Sequence, residues 1–199
     1  MPHGRMIALY GVNGIGKTTQ AELLVEFLRS QGNKNVNRVK YPVYDLEPEG
    51  PFLHQYLRNE DFRANHPQTT EELQLKYAEN RRRYEPELKS RLASGEWIVA
   101  EDYAGTGIAW GLAWGANIDF LEEINVGLYQ PDVSILMYGE RFDTAIETGH
   151  RNETESERIR ICNSFLWLLG ERFEWDRVDA HQSREAVAAD INRVIETRI

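Results

Sequence analysis

Gly11-Val12-Asn13-Gly14-Ile15-Gly16-Lys17-Thr18 carries the pattern G-x-x-x-x-G-K-[ST]. Its three glycines let the backbone curl with N–H groups turned inward. A helix starting behind them would add its N-terminal amides to the same anion nest. Lys17 supplies a point charge suited to the β- and γ-phosphates of a nucleoside triphosphate. Thr18 supplies a hydroxyl suited to Mg²⁺. The segment Gly11, Asn13, Gly14, Ile15, Gly16, Lys17, Thr18 and Thr19 is therefore expected to hold ATP with Mg²⁺. A glycine turn ahead of a helix-starting lysine is the plainer alternative. The strand before the loop and the helix after it speak against that alternative.

Such a loop needs a frame. "RMIALYG" reads as a buried strand, and Lys17 to about Ser30 as a helix stopped by Gly32. "VNRVKYP" reads as a second strand ended by Pro42. Thr70 to about Ser94 has apolar residues at helical spacing (Leu73, Tyr77, Tyr84, Leu88, Leu92), with Gly95 behind it. "EWIVAED" is a third strand, and Ile108 to Tyr129 a broken helical stretch. "PDVSILMY" is a fourth strand and "WDRVDA" a weaker fifth. Glu153 to Arg172 and Ser183 onward close as helices. Strands separated by helices imply βαβ crossovers. The expected fold is α/β, with a parallel sheet of about five strands and helices on both faces. It would form one domain over residues 1–199. Ligands of such sheets lie at the carboxyl ends of the strands. That rule gathers Gly11–Thr19, Tyr41–Tyr44, Glu101–Thr106 and Tyr138–Arg141 around one crevice.

A net charge of −9 argues against general nucleic-acid binding, which rewards clustered Lys and Arg. No apolar stretch approaches the ~20 residues that span a bilayer, so no membrane role is expected. The single cysteine, Cys162, cannot form an internal disulfide, and no signal peptide is visible; both fit a cytoplasmic location. Its neighbours in "RICNSFLWLL" favour a packed thiol over a nucleophile.

Among P-loop proteins a GTPase switch is a poor match. "EDYAG" fits D-x-x-G superficially, but no guanine-reading segment follows. In order and spacing, "IALYGVNGIGKTTQAELLVEFL", "VKYP", "YAENRRRYEPELKSRLASGEWIVAEDY", "GIAWGLA", "PDVSILM" and "VDAHQSREAV" together resemble the thymidylate kinase family. The resemblance implies a three-layer P-loop kinase fold and transfer of the ATP γ-phosphoryl to a deoxynucleoside monophosphate, dTMP to dTDP, in nucleotide biosynthesis. By position it implies that Tyr77 stacks on the acceptor base and Arg81 reaches the base edge. Tyr41 and Pro42 would lie near the acceptor sugar. Glu101 would stand near Mg²⁺ and the acceptor phosphate, with Asp102 and Tyr103 beside it. A mobile lid would cover about residues 140–154, making Arg141 and Arg151 candidates to neutralise the moving phosphoryl, with Arg151 the first choice as the catalytic arginine and Arg141 on the ATP side. "VDAHQS" would border the adenine, and a homodimer would form through helices beside the sheet.

Plain readings stand beside these. Tyr77 at helical spacing could equally be core. Arg82 and Arg83 read as a solvated helix face with Glu partners at i±4. Trp110 and Trp114 read as packing, and His150 is as well explained as exposed filler.

Three positions depart from the family pattern. Asn13 replaces an acid, Asp102 an arginine, and Val43 and Tyr44 stand where another arginine is often found. A charge-assisted hydrogen bond contributes ~1.5–3 kcal/mol, so each lost contact would cost ~10- to 150-fold in affinity. Three remedies are open. Mg²⁺ could bridge an acid to the acceptor phosphate. Lys40, Arg58 or Arg63 could take over the clamp. Or the acceptor could be a deoxynucleoside, with Glu101 or Asp102 as general base on its 5′-hydroxyl. A non-catalytic nucleotide binder is the remaining class; intact Lys17 and Thr18 argue against it.

Overall fold

The structure, a computed structural model, describes residues 3–142, 150–152 and 155–199. Five strands lie parallel in the order β2-β3-β1-β4-β5: β1 Met6–Tyr10, β2 Val36–Lys40, β3 Trp97–Glu101, β4 Val133–Tyr138 and β5 Asp176–Asp179. β1 is central, and its five residues are all buried. A strand covered on both faces must be a continuous apolar run, as "MIALY" is. The edge strands β2 and β5 are less apolar because only part of each is covered.

Helix α1 (Lys17–Ser30) packs beside α8 (Arg184–Arg198), while α5 (Ala104–Ala113) packs on both α4 (Thr70–Ala93) and α7 (Ser156–Arg172). α4 begins with a capping box, Thr69 accepting from the Glu72 N–H and Glu72 from the Thr69 N–H. The stretch expected to be helical with breaks is α5 followed by α6 (Ile118–Glu123), interrupted at Gly115. α2 (Glu49–Arg58) and α3 (Glu60–Asn65) fill a stretch the periodicity left unassigned. α2 buries only Glu49, Gly50, Leu53, Tyr56 and Leu57 on its inner side. Leu53 and Tyr56 form a satellite core with Leu73, apart from the main one.

Of the stretch expected as a lid, residues 143–149 and 153–154 lie outside the described residues. Arg82 and Arg83 do not pair at i±4. Arg82 donates to the carbonyls of Ile124 and Val126, and Arg83 makes two 2.8 Å hydrogen bonds to Glu49 of α2. The guanidinium holds the Glu49 carboxyl below the usual range. A helix brought alongside supplied partners that local spacing could not reveal. Among the described residues no helix is long and apolar enough to cross a membrane. Cys162 is buried, and burial pushes its thiol up, so it packs rather than reacts.

Candidate active site

The carboxyl ends of β1, β2 and β3 open on a cavity of about 370 Å³. After β1 the chain turns through Gly11 at φ 150° and enters α1 from Gly16 at φ 92°. A side chain at Gly11 would bring its Cβ within 2.8 Å of the Met137 carbonyl, so only glycine fits this turn. Val12 and Ile15 are buried and pin the loop to the core. Lys17 is also buried. Its ammonium donates to the carbonyls of Gly11 (2.8 Å) and Val12 (2.9 Å) and pairs with Asp102 at 3.2 Å. The ammonium's three donors are thus matched by three acceptors. Asn13, Gly14, Gly16, Lys17, Thr18 and Thr19 line the cavity, whereas Gly11 and Ile15 lie behind it.

β3 delivers two acids to the same place. Glu101 is wholly buried; it accepts 2.7 Å from the Thr18 hydroxyl and 3.0 Å from Arg38 of β2. Asp102 turns out of the strand with φ 59°, a left-handed conformation that Asp tolerates better than most residues. Its Oδ1 is 3.4 Å from the Thr106 hydroxyl.

The far end of the cavity is assembled from separate segments. Tyr41 and Pro42 follow β2, Tyr77 and Arg81 come from α4, and Thr106, Gly107 and Trp110 from α5. Arg81 is buried, and its Nη2 donates 3.0 Å to Asn125 Oδ1. Burial pulls the guanidinium down to about 10, still protonated at neutral pH. A Cβ at Gly107 would lie 3.0 Å from both terminal guanidinium nitrogens, so α5 lies against Arg81 because this residue is glycine. Burial raises the Tyr77 phenol, which stays neutral and presents an aromatic face.

Lys40 and Arg58 line the cavity, with the Arg58 guanidinium 4.9 Å over the Tyr44 ring. Arg63 does not; it donates to the carbonyls of Tyr56 and Leu57. Tyr103 lies outside this cavity, edge-on to Tyr41 at 4.9 Å, with its hydroxyl 3.4 Å from Glu85. Arg151 also lies outside the lining, its guanidinium 4.0 Å over the Trp114 ring. Arg141 precedes Phe142, whose N–H donates 3.0 Å to the Gly14 carbonyl and so holds that stretch against the loop.

Several lining residues were not expected. Gln74 is buried on the same face of α4 as Arg81; seven residues apart is two helical turns, a signal that was available. Trp110 lines the cavity besides packing, and His150 is buried in its wall. Arg38 and Asn125 support the site from behind, and only the fold brings them to it.

A phosphate nest ending the central strand of a parallel sheet, facing an aromatic pocket with a buried arginine, defines a P-loop nucleotide kinase. A family model described as thymidylate kinase matches residues 9–191. The human thymidylate kinase is 30% identical over 201 residues, covering 98% of this chain and 92% of that protein. The Plasmodium falciparum thymidylate kinase is 29% identical over 195 residues, covering 94% and 88%. A solved thymidylate kinase structure from Candida albicans shares the fold with a TM-score of 0.80 at 22% identity, covering 98% of this chain and 92% of that one. The chain belongs to the thymidylate kinase family and is an ATP-dependent nucleotide kinase.

Proposed function

We propose that the chain moves the γ-phosphoryl of ATP to the 5′-phosphate of dTMP, giving dTDP, within the cavity between the Lys17 loop and Arg81. The observation that carries this reading is the pairing, in one cavity, of a phosphate nest with a base-sized pocket that ends in a buried cation. The loop amides and Lys17 hold the β- and γ-phosphates, and Asn13, Thr18 and Thr19 border the same end. Lys17 meets phosphate by exchanging its two carbonyl acceptors, Gly11 and Val12, for phosphate oxygens. Tyr77 stacks on the base, Arg81 donates to its edge, and Tyr41 and Pro42 flank the sugar.

The Thr18 hydroxyl and the Glu101 carboxylate, 2.7 Å apart, are hard oxygen donors of the kind Mg²⁺ takes alongside phosphate oxygens. Among the described residues no cluster of three acidic, His or Cys side chains could hold a metal by itself, which fits an ion arriving with the nucleotide. When bound, it supplies charge neutralisation between the β- and γ-phosphates. Arg38 fixes Glu101 against Thr18.

For the acceptor phosphate, Lys40 and Arg58 replace the arginines missing at Asp102 and Tyr44. A phosphate acceptor is already ionised and needs no base, so Asp102 is free to hold Lys17. At the transferring group we assign the neutralising role to Arg141, whose neighbour Phe142 is tied to Gly14, rather than to Arg151 on Trp114. A homodimer and a cytoplasmic location are further parts of this proposal, made by likeness to the family.

The test is a steady-state assay of purified protein with Mg²⁺·ATP over all nucleosides and their monophosphates. Turnover of dTMP above the others is expected. Turnover confined to free nucleosides would move the reaction to a 5′-hydroxyl with an acid as base. Binding of ATP without any turnover would leave a non-catalytic relative.

A further inference from the structure

Gln74 is only 3% exposed, no hydrogen bond holds its amide among the described residues, and the amide opens on the cavity rather than being sealed in the core. An amide with no protein partner at a cavity wall has its donor and acceptor available to a ligand. The side chain lines the cavity at its aromatic end. It shares one face of α4 with Tyr77 and Arg81, at i, i+3 and i+7. Its stem is backed by α5, where a Cβ on Gly111 would lie 3.2 Å from Gln74 Cγ. The amide is therefore confined, polar, and set beside the two residues that would hold the base.

The two side chains offer different chemistry. Arg81 can only donate, and its Nη2 is already given to Asn125. The base atom facing it must be an acceptor, such as a ring carbonyl. Gln74 offers a carbonyl as well as N–H donors, so it can accept from a ring N–H next to that carbonyl. We infer that Gln74 is a specificity-determining residue for the acceptor base, reading the N3–H of a 2,4-dioxopyrimidine while Arg81 takes a neighbouring carbonyl. Cytosine has no hydrogen on N3 and carries an amino group in place of one carbonyl. It would face Arg81 donor to donor, or leave the Gln74 carbonyl unmatched. Sites built to pair with a substrate N–H discriminate strongly because the unmatched buried group bears the penalty. The inference rests on the cavity being the acceptor site.

The experiment compares wild type with Gln74→Met, which keeps the stem and removes the amide. Dissociation constants for dTMP and dCMP, the KM for ATP, and melting curves with and without dTMP are measured. The expected result is a rise in melting temperature on adding dTMP that is smaller than in wild type. The dTMP dissociation constant should rise about tenfold or more. The dCMP constant should change less than threefold, and the ATP KM should not move. Gln74→Asn keeps an amide on a shorter stem; it should discriminate better than the Met variant, and it carries the comparison should the Met variant not fold. Equal losses for dTMP and dCMP would make Gln74 a packing residue and overturn the inference. Unchanged dTMP affinity would overturn it too. A wild-type protein that binds dCMP and dTMP alike while phosphorylating both leaves the kinase reading standing and removes only the role of Gln74. A wild-type protein that binds no monophosphate removes both.

Discussion

The two ends of the cavity are built by different means. The donor end is one continuous peptide, Gly11 to Thr19, whose ligand groups are mostly backbone N–H. The acceptor end collects side chains from residues 40–44, 57–58, 74–81 and 101–110, carried on a strand end, two helices and a helix start. A backbone nest fixes its geometry by φ and ψ alone, so few substitutions keep it. A side-chain pocket can exchange one cation for another, provided a charge arrives in the same space. Asp102, and Val43 and Tyr44, stand where the resemblance leads one to expect arginines, while Lys40 and Arg58 line the cavity from other elements. The Tyr44 ring lies under the Arg58 guanidinium, a cation–π contact that an arginine at 44 would replace with repulsion.

The largest effect should follow from breaking the donor end. Lys17→Ala removes the only side-chain charge of the loop from Gly11 to Thr19. Turnover of dTMP should fall by ~10²–10³-fold or more, as when a preorganised charge stabiliser is removed. Circular dichroism should be that of wild type, because the loop is held by buried Val12 and Ile15. Near-normal turnover would mean that the backbone amides suffice, and the donor end would lose its side-chain component.

The acceptor end should respond more mildly and in parts. Lys40→Ala and Arg58→Ala should each raise the KM for dTMP by ~10- to 150-fold with the KM for ATP unchanged, one charge-assisted contact apiece. Asp102→Asn should lower the KM for dTMP, by a smaller factor, since it removes a negative charge from the wall facing a phosphate dianion. If Asp102→Asn instead lowers kcat with KM unchanged, the pairing with Lys17 matters more than the field at the acceptor, and Asp102 belongs to the donor end. Initial-rate kinetics with each substrate varied separates these outcomes.

The same division decides what could be read before the fold was known. The five strands and the helix behind the loop follow from apolar runs and glycine stops, which are local. Glu101, Tyr77 and Arg81 could be named only by position in a family pattern, and the cavity then gathered them. Gln74 shares a helical face with Arg81, so its signal was present; its meaning needed α5 against it. Arg38, Asn125 and the Glu49–Arg83 pair join residues 34 to 63 positions apart, and no sequence period links them. α2 and α3 escaped notice because "EGPFLHQYLR" mixes proline, glycine and charge within one short helix. Such helices are held by what they pack on rather than by propensity.

The Glu49–Arg83 pair gives the smallest expected effect, and one that leaves the chemistry alone. Hydrogen bonds from Arg83 depress the Glu49 carboxyl below the range of an unfolded chain, about 4.3 for Glu. A carboxyl depressed on folding adds stability that is present above the unfolded value and lost as pH falls through the folded one. Arg83 is largely exposed, so solvent screens the pair and the contribution is modest. Glu49→Gln should therefore lower the melting temperature at pH 7 by a few degrees at most. The gap to wild type should close as pH falls below about 4, and turnover at pH 7 should hold, since neither residue lines the cavity. A gap that persists unchanged at pH 3 would assign the effect to packing at the start of α2. A loss of dTMP affinity would show that α2, which carries Arg58, is positioned by this pair, and would tie the most remote contact of the acceptor end to its chemistry.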